Sequence, residues 1–197
     1  KHFLFRFVLK PLWPRIYCVK EHFIETNHTK FLGCIGTSQQ SFPLHQSSLR
    51  VIGNPFVPEY LPTPPDAILS VDALFLYFNI QETEEIFGMI AEALNTKKYS
   101  HVYYKHHPYI LAPANHMLYE QYEQIIHKYI KGDLIQLPAS ACLENILTAY
   151  RAEFYTVYSS VAIYANNAGC TCYSPLHRVK DKIPTKIALV EEISHPI

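Results

Sequence analysis

An α/β fold with a parallel, doubly wound sheet is what the sequence predicts, and two observations carry the prediction. Between residues 67 and 167 strand-like segments alternate with helix-like ones, a pattern that requires right-handed crossovers between parallel strands. Of the 197 residues, 49% are apolar, enough for one domain with a sizeable core or for one complete domain plus part of another. Glycine is sparse, aromatic residues are abundant and no internal repeat is visible, which argues against a flexible or low-complexity chain.

The 17 basic residues are balanced by 17 acidic ones, so no global field draws the chain to nucleic acid, and any anion site must be local. The five cysteines, Cys18, Cys34, Cys142, Cys170 and Cys172, are odd in number and lack Cys-x-x-Cys spacing. Neither a disulfide framework nor a zinc knuckle is predicted, and a reducing cytoplasm suits them best. No apolar run reaches the roughly 20 residues that span a bilayer, and no signal peptide with a cleavage site is visible. The chain opens on Lys1 rather than methionine, which suggests a fragment whose upstream part is missing.

Along the chain, residues 1–20 interleave Lys1, Arg6, Lys10, Arg15 and Lys20 with Phe3, Phe5, Phe7, Leu12 and Trp13, and no acid precedes Glu21. Such a stretch suits peripheral contact with the inner membrane, where cations meet anionic head groups and aromatics settle at the interface. The alternative is an ordinary helix or strand packed on a missing domain, with Pro11 and Pro14 breaking any long helix. Residues 54–66 (NPFVPEYLPTPPD) hold five of the 14 prolines and read as an extended interdomain linker.

Beyond the linker, AILSVDALFLYF at 67–78 reads as a buried strand region, and Asn79 with Glu82 offers a capping box for a helix over 80–95. HVYYKH at 101–106 is the next strand, stopped by His107-Pro108. A helix is expected over 116–130, with Tyr119, Tyr122, Ile126 and Ile130 at helical spacing. There follow a strand at 133–137, a helix over 141–153, a strand at 154–158 and a helix over 160–167. The tail, 170–197, is the least legible part, although Cys170 and Cys172 can share one face of a strand.

Ligands of doubly wound sheets bind at the carboxyl ends of the strands, so the candidate residues are sought there. Pro108 fixes the turn after one strand and holds His107 at the sheet's edge. An imidazole, with an ordinary pKa of about 6.5, can stand beside a phosphate as a cation or donate a proton to it; it can equally be a structural residue. Ser159 and Ser160 combine two hydroxyl donors with the first turn of a helix, a receptor for phosphate whose geometry also serves simple N-capping. Glu144 falls in the first turn of the helix between them, where a carboxylate can accept from a ribose diol or simply complement the helix dipole.

KHHP at 105–108, LPASACLE at 137–144 and VYSS at 157–160, in this order and at these strand ends, resemble the C-terminal domain of bacterial sialyltransferases. The likeness is greatest to the lipooligosaccharide sialyltransferases of glycosyltransferase family 52 and covers about residues 50–170. It implies a GT-B architecture, two Rossmann-like domains with the nucleotide sugar between them. Residues 1–53 are then a remnant of the N-terminal, acceptor-side domain, 54–66 the linker, and 67–197 the Rossmann-like CMP-sugar-binding domain. The resemblance implies that His107 contacts the CMP phosphate and assists its departure, that Ser159 and Ser160 bond that phosphate, that Glu144 binds the ribose hydroxyls, and that Lys105 lies near the cytidine.

The implied activity is transfer of sialic acid from CMP-sialic acid to a galactose-terminated lipooligosaccharide or related surface glycan, with no cofactor. The family's pair of acids followed by glycine, which supplies the general base, does not occur in these residues, so the base is expected on a missing N-terminal domain or the chain is an inactive relative. CMP carries one phosphate and needs no diphosphate-clamping metal, and no Asp-x-Asp pair is present to hold one. His101, His106 and His107 do not suit zinc, because adjacent His106 and His107 leave a strand on opposite faces. Competing readings are a CDP-glycerol-type phosphotransferase or nucleotide-sugar epimerase, and a noncatalytic glycan-assembly subunit.

Overall fold

A computed structural model describes residues 34–36, 49–51, 56–72, 74, 77–182 and 188–197. The chain divides into two units, Lys1–Pro55 and Phe56–Ile197. In the first, the described residues form a parallel pair of three-residue strands, β1 (Cys34–Gly36) and β2 (Leu49–Val51), with Cys34 opposite Leu49. The membrane-surface reading of residues 1–20 lies outside the described residues.

The second unit begins as a strap. Residues 56–66 run without helix or strand, as their prolines, which lack N–H donors, dictate. The strap is fastened to the unit by Tyr150, whose hydroxyl accepts the Leu61 N–H at 2.9 Å and donates to the Leu61 carbonyl at 3.1 Å. At its end the Asp66 carboxylate accepts the Ser100 and His101 N–H groups at 2.8 and 3.0 Å, which anchors the start of a neighbouring strand.

Six strands make the sheet of this unit: β3 (Ala67–Val71), β4 (His101–His106), β5 (Asp133–Gln136), β6 (Glu153–Tyr155), β7 (Cys172–Ser174) and β8 (Ser194–Pro196). Their order is β5-β4-β3-β6-β7-β8, and every neighbouring pair is parallel. The chain winds outward from β3 to β5, returns to the other side of β3 and winds outward again, which is the Rossmann-like order with its switch point between β3 and β6.

The crossovers are α1 (Ile80–Lys97), α2 (His116–Tyr129), α3 (Leu143–Ala149) and α4 (Val161–Asn167), followed by the short α5 (Leu176–Val179) and α6 (Ala188–Ile193). α1 packs on α2, while α3 packs on α4 and α4 on α6. Right-handed crossovers place the first pair on one face of the sheet and the others on the opposite face. β3 is therefore covered on both sides, and all five of its residues are buried.

The start of α1 follows the sequence closely. Asn79 Oδ1 accepts the Glu82 N–H at 2.9 Å, and the Glu82 carboxylate accepts the Asn79 N–H at 3.0 Å, so both halves of the capping box are made. The buried face of α1, Ile86, Phe87, Ile90, Ala91 and Leu94, meets α2 through an edge-on contact of Phe87 with Tyr122.

Small shifts of one or two residues aside, three elements differ from the sequence reading. The strand region expected over 67–78 ends at Val71, because the chain turns at Asp72, where Leu74 N–H folds back to the Asp72 carbonyl at 2.8 Å. The strand expected over 154–158 is Glu153–Tyr155, because the Val157 and Tyr158 N–H groups bond the Asp72 side chain rather than a neighbouring strand. The helix expected over 141–153 is only Leu143–Ala149, and Tyr150 beyond it is committed to the strap.

The tail completes the sheet with β7 and β8. Cys170 lies just before β7 and Cys172 within it, and their thiols reach carbonyls of the α3–α4 layer: Leu147 and Tyr150 for Cys170, Ala162 for Cys172. Burial pushes the two thiols up to about 11 and about 12, so both stay protonated near neutral pH and act as small packing groups. Among the described residues no helix is long and apolar enough to cross a membrane.

Asn79→Ala is expected to destabilise the second unit by about 1 kcal/mol, the usual worth of an N-cap, without changing its secondary-structure content. Urea denaturation followed by circular dichroism measures this; an unchanged midpoint would mean that α1 is set by its buried face alone.

Candidate functional site

Four connections at the carboxyl edge of the sheet enclose a cleft of about 310 Å³. Ser70 comes from the end of β3, and Lys105, His107 and Pro108 from β4 and the turn after it. Glu144 comes from the first turn of α3, and Ser159 and Ser160 from the connection between β6 and α4. All five residues singled out in the sequence, Lys105, His107, Glu144, Ser159 and Ser160, thus line one cleft, although up to 55 positions separate them.

Alternation along β4 sorts its side chains. Tyr104 and His106 are buried against α2, where Glu123 bonds both: Oε1 to His106 Nε2 at 2.5 Å and Oε2 to the Tyr104 hydroxyl at 3.0 Å. His106 borders the cleft but is only 1% exposed, with its ring edge-on to Tyr119 of α2. Lys105, opposite Ser70 in the register, lines the cleft, as does His107, which is exposed where buried His106 is not.

His107 is placed by its own backbone. Its N–H extends the ladder to the Val71 carbonyl at 2.8 Å, and its carbonyl accepts from Ile110, whose buried side chain pins the turn. The Tyr109 N–H donates to His107 Nδ1 at 3.2 Å, so in the neutral ring the proton resides on Nε2, leaving that nitrogen as a donor.

Glu144 is half-buried, and its Oε2 takes the Cys142 thiol at 3.3 Å. Ser159 Oγ accepts the Val161 N–H at 3.2 Å, so this hydroxyl serves the turn as an acceptor and keeps its proton to donate. Ser160 stands at the N-cap of α4 but makes no side-chain cap bond. The capping reading thus applies to Ser159 more than to Ser160.

Beneath the cleft lies a residue that the sequence reading did not select. Asp72, 6% exposed, ends β3 and accepts from Thr156 Oγ1 at 2.6 Å, Val157 N at 3.0 Å and Tyr158 N at 3.1 Å through Oδ2, and from Ser70 Oγ at 2.9 Å through Oδ1. Burial pushes its carboxyl above the ordinary carboxylate range, and the four donors act in the opposite sense. The signal was a serine and an acid near the end of an apolar run, hidden by reading that run as a strand through residue 78.

Among the described residues no group of three His, Cys, Asp or Glu side chains could hold a metal ion. The cleft offers donors, Lys105, His107, Ser159 and Ser160, around one carboxylate, Glu144. Such a set can receive an anion and a hydroxylated group side by side. No protein-family model matches the chain, nor does any curated protein or solved structure.

Burial also holds the His106 imidazole below its ordinary value, against the pull of Glu123. The unfolded chain therefore takes up this proton at a higher pH than the folded chain, so stability is expected to fall as pH drops below about 6.5. In His106→Asn, which cannot protonate, that loss should shrink. Urea midpoints at about pH 7.5 and about pH 5.5 for both chains decide it, and equal slopes would remove His106 from the acid response.

Proposed function

We propose that the second unit holds the nucleotide of a CMP-sugar donor and serves sialyl transfer to a galactose-ended surface glycan. One observation supports this above others: the five residues that the sialyltransferase resemblance assigns to CMP line a single cleft at the carboxyl edge of a Rossmann-like sheet. Its volume of about 310 Å³ suits one small polar ligand.

Transfer breaks the bond between the sugar's anomeric carbon and a phosphate oxygen, and the electron pair of that bond stays on the departing CMP. Donors aimed at this oxygen lower the barrier because charge grows there in the transition state. His107 Nε2–H and the hydroxyls of Ser159 and Ser160 fill this role, with Lys105 near the base and Glu144 on the ribose diol. The acceptor hydroxyl must lose its proton to a base outside these five residues. A single phosphate makes a clamping metal unnecessary. The three free thiols among the described residues suit a reducing cytoplasm, on the face of the inner membrane where nucleotide sugars are made.

Calorimetry with the 197-residue chain in a chelating buffer tests the reading. CMP is expected to bind, and UDP at least about tenfold more weakly, a gap of about 1.4 kcal/mol. Equal binding of both, or CMP binding that appears only with magnesium, would overturn the assignment. Glu144→Gln is expected to weaken CMP by about 1 to 3 kcal/mol and its 2′,3′-dideoxy analogue hardly at all, since the lost bond is to the diol. Equal loss for the two ligands would return Glu144 to its helix.

A further inference from the structure

The two serines of the cleft lead into α4, whose Ala162 and Ile163 N–H groups bond the Ser159 and Ser160 carbonyls at 3.1 Å. The β3–β6 ladder does not reach the preceding turn, residues 156–158, since it ends at the pair Leu69 and Tyr155. On the β7 side this turn is held by Thr156 N–H to the Tyr173 carbonyl at 3.1 Å and by Ser174 Oγ to the Val157 carbonyl at 2.8 Å; on the β3 side it is held by Asp72, 84 to 86 positions earlier in the chain, through Thr156 Oγ1 and the Val157 and Tyr158 N–H groups. Its other oxygen takes the proton of Ser70, a residue that lines the same cleft.

We infer that Asp72 is a positioning residue of the cleft, setting through the 156–158 turn where Ser159 and Ser160 stand. The inference rests on the nucleotide reading, with the serines facing phosphate. Asp72 itself touches no ligand. The residue is 6% exposed and its carboxylate is engaged at both oxygens, three donors on Oδ2 and one on Oδ1. Removing the acceptor takes the partner from the buried Val157 N–H and the half-buried Tyr158 N–H, which releases the turn on its β3 side. An amide in its place keeps the backbone part of the hold, because its oxygen can accept the Val157 and Tyr158 N–H groups while its nitrogen donates to Ser70 Oγ.

The test compares CMP with cytidine, which lacks the phosphate, by calorimetry on the full chain. In Asp72→Ala, CMP is expected to weaken at least about 10-fold while cytidine stays within about 2-fold, and Asp72→Asn restores CMP to within about 3-fold of the wild type. Should Asp72→Ala not fold, Thr156→Val reads the same hold. It keeps the buried volume and removes one donor, and it should weaken CMP about 3-fold or more and spare cytidine. Equal losses of CMP and cytidine in the folded variants, or an Asn variant as impaired as the Ala variant, would overturn the positioning role while leaving the nucleotide reading in place. A wild-type chain that binds neither ligand would overturn both.

Discussion

A buried carboxylate at the seam of the sheet is the constraint on which the second unit depends. β3 and β6 pair over only three residues, Ala67 to Leu69 against Glu153 to Tyr155, yet the two halves of the doubly wound sheet meet along this line. Asp72 lengthens the joint beyond the ladder, taking over Thr156, Val157 and Tyr158 where backbone pairing with β3 stops. A polar group in such surroundings is costly unless its hydrogen bonds are complete, and here both oxygens are engaged. The same bonds that make Asp72 tolerable in the core fix the shape of the site above it.

The neighbouring strand solves a related problem by alternation. Facing α2, Tyr104 and His106 share Glu123, which also approaches His127 on its own helix at 3.6 Å. That network locks one side of β4, so the other side can present Lys105 and His107 at a defined height. The turn after His107 is closed by Pro108 and by buried Ile110, and it needs no glycine to do so. Rigidity on the helix side and spare hydrogen-bonding capacity on the cleft side are thus properties of a single six-residue strand.

Local chemistry decided what could be read from the sequence. The capping box at Asn79 and Glu82 and the stop at His107-Pro108 were legible because each lies within a few consecutive residues. So was the alternation of strands and helices, whose periods repeat often enough to register. Asp72 was not legible, because its partners lie 84 to 86 positions away and its residue type alone does not distinguish a buried acid from a surface one. The tail failed for a different reason: its strands have three residues and its helices four and six, too short for either period to declare itself. The five cleft-lining residues were picked out by type and place at strand ends or, for Lys105, by the resemblance, whereas the polar scaffold under them exists only once the strands are side by side.

The bonds already made within the cleft also decide what kind of ligand it can receive. Ser159 spends its acceptor capacity on Val161 N–H, and His107 spends Nδ1 on Tyr109 N–H, so each has a proton left to offer. Ser160 makes no cap bond, and Lys105 adds a cation. Ser70 is the reverse case, since its proton goes to Asp72 and only lone pairs remain. Glu144 keeps one carboxylate oxygen beyond the Cys142 thiol. Donors therefore come from the ends of β4 and β6, which flank β3 and its acceptor Ser70, and the other acceptor is Glu144 at the start of α3, although the chain as a whole carries no net charge. A ligand that carries both an anionic group and hydroxyls satisfies donors and acceptors at once, and an apolar ligand satisfies neither, because every spare donor it covered would be left unpaired.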